Sequence, residues 1–143
     1  MAVKAIPDGY HSITPGCAVE GAAKAIDFYK KVFDASERFR MAGPNGSVAH
    51  AELKIGDSIF MLGDAGPQTP KFAMHVMLYT TDADAVFARA VEAGCTVNQP
   101  LQDMFWGDRA GRVTDPFGNN WFIATRKEDV SPAEMEKRMK AAK

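Results

Sequence analysis

The chain has 143 residues, 46% of them hydrophobic and 24% charged, and a formal net charge of −1. That is the size and usage of one globular domain, long enough to bury roughly two-thirds of its unfolded surface. The charge balance leaves no basic footprint for nucleic acid, no apolar run approaches the ~18 residues that cross a bilayer, and the opening MAVKAIPDGYHSITPG meets proline and glycine before any signal-type apolar core.

In chain order, HSITPGCAV (11–19) reads as an extended strand made irregular by Pro15 and Gly16. EGAAKAIDFYKKVF (20–33) follows, with Ala22, Ala25, Ile26, Tyr29 and Phe33 near the i, i+3, i+4, i+7 spacing of an amphipathic helix. ASERFRMA (35–42) is a strand, GPNG (43–46) a turn, and SVAHAELKI with SIFML a hairpin around Gly56-Asp57. DAGPQTPK (64–71) is a Gly- and Pro-rich linker. FAMHVMLYT (72–80) is again a strand, and TDADAVFARAVEAG (81–94) a helix with Ala85, Val86, Ala90 and Val91 on one stripe and Gly94 ending it. TVNQPL is a strand interrupted by Pro100, and GRVTDPFGNNWFIAT (111–125) a second hairpin turning at Asp115–Asn120, with Trp121 and Ile123 facing the helix layer. The tail SPAEMEKRMKAAK opens on a capping box, Ser131 with Glu134, and predicts a surface helix over 131–143.

The order strand, helix, three strands therefore occurs twice. A shift of 61 residues carries Thr14 onto His75, Ala22 onto Ala83, Gly46 onto Gly107 and IFML (59–62) onto NWFI (120–123) without a gap. Identities are few, so element order and apolar pattern carry the repeat. Two modules of about 60 residues, 10–63 and 72–126, predict an α+β fold of tandem βαβββ units.

Among chemistry-bearing residues, His50 and Glu52 alternate with Ala51, Leu53 and Ile55, so they face away from the helix layer. FWGDR (105–109) offers flat apolar surface and a guanidinium fork for an anionic oxygen. It reads either as the wall of a small-molecule pocket or as a structural Asp–Arg pair with Trp106 over a dimer seam; Arg112 reads as surface. No G-x-S-x-G elbow or Gly-rich phosphate loop is present. Cys17 and Cys95, far apart and without C-x-x-C spacing, read as buried thiols of a cytoplasmic protein, with a disulfide or a reactive thiol as alternatives.

AIDFYKKVF in the first helix and DPFGNNW in the last hairpin, set in the doubled βαβββ order, resemble the vicinal oxygen chelate superfamily of glyoxalases, bleomycin-resistance proteins and extradiol dioxygenases. FWGDRAGRVTDPFG with the EDVSPAEMEKRM tail looks like its PhnB-like branch. That branch is often labelled by similarity to methyltransferases, but the Gly-rich turn that would hold S-adenosylmethionine is missing, which argues against methyl transfer. The resemblance implies that the two modules form curved mixed sheets around a cleft, that the chain is a homodimer, and that the metal ligands in the cleft come from the first and last strand of each module. Those positions are Thr14, Met61, His75 and Phe122 here, and of these only His75 suits a hard divalent ion.

Three readings follow. The first is a metal-free small-molecule-binding protein whose pocket is lined by Met61, His75, Phe105, Trp106, Arg109 and Phe122, with no cofactor. The second is an isomerase, lyase or dioxygenase with His75 and Glu52 in acid–base roles, or a divalent metal on a rebuilt set of His75, His50 and Glu52. The third is a structural dimer with a vestigial cleft.

Overall fold

A computed structural model describes residues 2–142. The chain divides into two compact units, the first running to Met74 and taking in Phe117–Asn119, the second comprising His75–Pro116 and the chain from Asn120 onward.

The first unit contains β1 (Gly16–Val19), α1 (Ala22–Phe33), β2 (Ser36–Ala42), β3 (Val48–Ile55) and β4 (Ser58–Asp64). Its four strands lie in the order β1-β4-β3-β2, with β1 parallel to β4 and the other pairs antiparallel. The predicted helical stripe, Ala22, Ala25, Ile26, Tyr29 and Phe33, is buried, and Val32 is buried with it. Ala51, Leu53 and Leu62 are equally buried, while His50, Glu52 and Met61 alternate with them and remain half-buried. Gly21, which precedes α1, has no side chain with which to cap it. Asp64, at the end of β4, supplies the cap: Oδ1 accepts from Gly21 N (3.1 Å) and Ala22 N (2.9 Å), and Oδ2 from Val48 N (2.7 Å). Asn119, wholly buried, belongs to this unit. Its Oδ1 accepts from Met74 N (2.9 Å) and its Nδ2 donates to Tyr29 Oη (2.8 Å).

The second unit repeats the pattern with β5 (His75–Tyr79), α2 (Ala83–Glu92), β6 (Thr96–Asp103), β7 (Asp108–Thr114) and β8 (Asn120–Arg126), in sheet order β5-β8-β7-β6. Here α2 carries its own cap, Asp82 accepting from Ala85 N. Thr125 adds a second: its Oγ1 accepts from Ala83 N and donates to Thr80 O, both at 2.8 Å. Gly111 lets α2 approach β7, since a Cβ there would lie 2.6 Å from the Phe87 ring. Trp121 and Ile123 are core, and the Trp121 Nε1 donates to the buried Asp115.

The elements differ from expectation in four places. Strand β1 is shorter than 11–19, because the chain enters pairing only after Pro15, whose carbonyl accepts from Met61 N (2.9 Å), and Thr14 stays outside the strand. Strand β5 starts at His75 rather than Phe72, which makes only an isolated bridge to Ala18. Pro100 does not interrupt β6: the strand lies at the sheet edge, where a missing N–H costs no ladder bond, and its register shifts between Gln99 and Gln102. Strand β7 begins at Asp108, not at Gly111, so FWGDR splits between a turn and a strand. Helix α3 (Pro132–Ala141) is capped by Ser131, which accepts from Glu134 N, and buries no residue; the predicted terminal residue Lys143 lies outside the described residues.

Candidate functional site

Side chains alternate across a strand, so the register of the second sheet assigns residues to its face away from α2. His75–Asn120–Thr114, Met77–Phe122–Arg112 and Tyr79–Ala124–Ala110 form three rows across β5, β8 and β7, followed by Arg126–Asp108. Thr125, bonded to the start of α2, fixes which side is which.

Asp108 is the chemical centre of that face. It is 1% exposed, and Tyr79 Oη and Trp106 Nε1 both donate to its Oδ2 over 2.8 Å. Its Oδ1, shielded from solvent, has no hydrogen-bond partner. The bond to the Asp108 carboxylate, followed by burial, pushes the Tyr79 phenol above its ordinary pKa. Tyr79 therefore stays a donor through the neutral range.

Trp106 is delivered by the turn Met104–Gly107, closed by Gly107 N donating to Met104 O (3.1 Å). Gly107 has a φ of 104, and a Cβ there would lie 2.5 Å from the Glu128 carbonyl, so glycine is required on both counts. The indole stands edge-on to Phe122, with centroids 6.1 Å apart, and Phe105 stands edge-on to the indole at 5.0 Å. Beneath them Met104, Ala110 and Ala124 form a small buried cluster against which Trp106 and Phe122 pack. Arg138 of α3 pins the turn from outside, donating to Phe105 O (3.3 Å) and to Glu128 and Glu134.

Arg112 lies across the row from Phe122, its guanidinium carbon 4.8 Å above the ring and its shielded Nε without a partner. Met77 and Tyr79, 42% and 54% exposed, extend the apolar shelf. An open cavity of about 570 Å³ adjoins the turn, lined by Met104, Gly107, Asp108, Arg109 and Lys127 among others.

The structure does not bring Arg109 to this face. It points to the α2 side, bonded to Asp84 (2.9 Å) and Asp103 (3.3 Å), because it is one residue out of phase with Asp108. Arg112, read from sequence as surface, takes the place beside Phe122. Tyr79, Met77 and the buried role of Asp108 were also missed. Hydrophobic period alone cannot show them; the β7–β8 pairing register does.

In the first unit, His50 Nε2 and Glu52 Oε2 lie 3.0 Å apart, with Met61 and Phe39 beside Glu52 in register. His75 is exposed at the start of β5. The chelate positions offer a hydroxyl, a thioether, one imidazole and a phenyl ring, a set that does not fit a hard divalent ion. Among the described residues, no three His, Cys, Asp or Glu side chains group so as to hold a metal.

Two βαβββ units, each a four-stranded mixed sheet backed by one helix, define the class of fold. Residues 12–123 match the family model of the Glyoxalase/Bleomycin resistance protein/Dioxygenase superfamily, and the chain belongs to that superfamily. An uncharacterised protein of Mycobacterium tuberculosis is 41% identical over 139 residues, covering 90% of this chain and 82% of that protein. Among solved structures, TioX from Micromonospora sp. ML1 is similar at 29% identity and a TM-score of 0.69, covering 81% of this chain and 98% of that one. TnmS3, an antibiotic binding protein from Streptomyces sp. CB03234, is similar at 26% identity and a TM-score of 0.66, covering 87% and 100%. Among the described residues, no helix is long and apolar enough to cross a membrane.

Proposed function

We propose that this chain binds a small organic molecule, without a metal, on the open face of its second sheet. The observation that carries the reading is Arg112: a cation over the Phe122 ring, with a shielded Nε that no protein acceptor reaches, beside the exposed Met77 and Tyr79. A desolvated donor without a partner costs free energy, and a ligand carboxylate or carbonyl would supply the missing acceptor while its ring lies on Phe122. The likeness to an antibiotic binding protein supports a binding role. Flat aromatic acids such as naphthoate are the first probes, read by thermal shift and calorimetry. Binding that Arg112→Ala and Phe122→Ala each weaken at least about tenfold supports the reading; no binding by any aromatic acid removes it.

His50 and Glu52, hydrogen-bonded to each other, favour a second reading: an enzyme of the superfamily with Glu52 and His75 in acid–base roles. Stoichiometric metal in untagged protein, or a zinc- or iron(II)-induced rise in melting temperature that His50→Ala or His75→Ala abolishes, would favour it over the first. A homodimer is part of the proposal. The exposed Phe39 and Met41, 46% and 52% accessible on the first sheet, support it, and sedimentation of the chain as a monomer in ultracentrifugation would remove it. The two free thiols support a cytoplasmic location, and FWGDRAGRVTDPFG supports the PhnB-like branch.

A further inference from the structure

We propose that Tyr79 sets which small molecules this face accepts: its hydroxyl oxygen meets the ligand as an acceptor only, so the ligand is an aryl acid carrying an O–H or N–H donor at the end remote from Arg112. The inference rests on the binding reading above and deepens it, naming the class of molecule bound.

A phenol has one hydrogen to donate. In Tyr79 it is directed inward, to Oδ2 of the buried Asp108 carboxylate over 2.8 Å. Trp106 fixes the direction of that bond. An indole nitrogen can only donate, and it donates to the same Oδ2 over 2.8 Å, so this oxygen accepts from both rings. A bond to a carboxylate is of the stronger, charge-assisted kind. The raised pKa of the phenol keeps the proton on Tyr79 through the neutral range. What Tyr79 has left are the lone pairs of Oη, on a side chain that is 54% exposed at the open face.

The other end of the site has the opposite demand. Arg112 has donors and no acceptor, and its shielded Nε is without a partner. Tyr79 lies two strands away from Arg112 and one row along, with Phe122 on the strand between them. Strand spacing and rise put the two backbones about 12 Å apart, and both side chains reach inward from there. A two-ring acid can lie on Phe122 across that span, its carboxylate toward Arg112 and a ring hydroxyl toward Tyr79. An ether or carbonyl oxygen in place of the hydroxyl would meet Oη lone pair to lone pair, with neither side able to donate.

The test compares two hydroxynaphthoates, each with its hydroxyl at a different position on the ring remote from the carboxylate, with their methyl ethers and with unsubstituted naphthoate. Calorimetry on the wild-type chain is expected to show at least one of the two phenols binding about tenfold tighter than its ether and than naphthoate. Tyr79→Phe keeps the ring and the bond between Trp106 and Asp108. It is expected to erase the preference while leaving the affinity for naphthoate within about twofold. Both phenols binding like their ethers, or a preference that survives Tyr79→Phe, would overturn the proposal. Should that variant fail to fold, the wild-type comparison decides. If naphthoate binds through Arg112 and Phe122 without any preference for a phenol, the binding reading stands and only the role of Tyr79 is lost; if none of these acids binds, both fall.

Discussion

Asp64 and Thr125 stand 61 residues apart and do the same work, since each reaches from the last strand of its unit to accept the first backbone N–H of that unit's helix. The repeat thus extends beyond the apolar pattern to a tertiary cap, with different chemistry at the two ends.

The two caps differ in weight. Helix α1 has no side-chain cap of its own and Asp64 also holds Val48 N, whereas α2 has Asp82 as well as Thr125. Asp64→Ala is expected to cost about 2–3 kcal/mol and Thr125→Val about 1 kcal/mol in urea unfolding. Equal costs would show that the redundancy at α2 is not real.

The raised pKa of Tyr79 depends on Asp108. A raised phenol pKa means that the protonated form is favoured in the folded state. This contribution is present below the ordinary value near 10 and is lost as pH rises through the folded value. The Tyr79 ring resonance should titrate later than a free tyrosine, and Asp108→Asn should bring it back. An unshifted titration would mean that the hydrogen bond does not persist in solution.

Acid should act in the opposite sense. Arg109 holds the Asp84 carboxyl below its ordinary range, Arg138 does the same for Glu128, and Arg40 and then Lys30 for Glu37. Depressed carboxylates stabilise the fold above their ordinary range of about 4 and lose that contribution as pH falls through the lower folded values. All three are surface pairs, so the effect is small and salt-sensitive. Melting temperature is expected to drop below pH ~4, less steeply in Arg109→Gln and in high salt; identical slopes would count against these pairs.

Burial, and secondarily the charge of Asp115, pushes the Cys95 thiol up to about 12. The thiolate is the reactive form. Cys95 should therefore resist Ellman's reagent at pH 8 in the folded protein and react once guanidinium is added. Fast native labelling would show that the strand start at Thr96 opens readily.

Much of the architecture was legible because it rests on local periodicity: the α1 stripe from Ala22 to Phe33 and the alternation from Ala51 to Ile55 need no knowledge of partners. The site was less legible. Trp106 was singled out by residue type, and Phe122 and His75 by the chelate positions of the superfamily, but which arginine faces Phe122 depends on how β7 pairs with β8. That register follows from the length of the Asp115–Asn119 connection and the early start of β7 at Asp108. Tyr79 and Asp108 are 29 residues apart, and no spacing rule joins them. The Asp64 cap is likewise invisible, since capping signatures look three residues ahead and this one reaches 42 residues back to Ala22.

Asn119 has a consequence for how the molecule is made. Its amide completes the polar interior of the first unit, bonding Tyr29 and Met74 N, yet it lies 45 residues beyond Met74. During synthesis the first unit leaves the ribosome lacking a piece of its own interior, which arrives only when most of the second unit has been made. A gene cut after Met74 would encode every strand and the helix of the first unit and still not encode all of it.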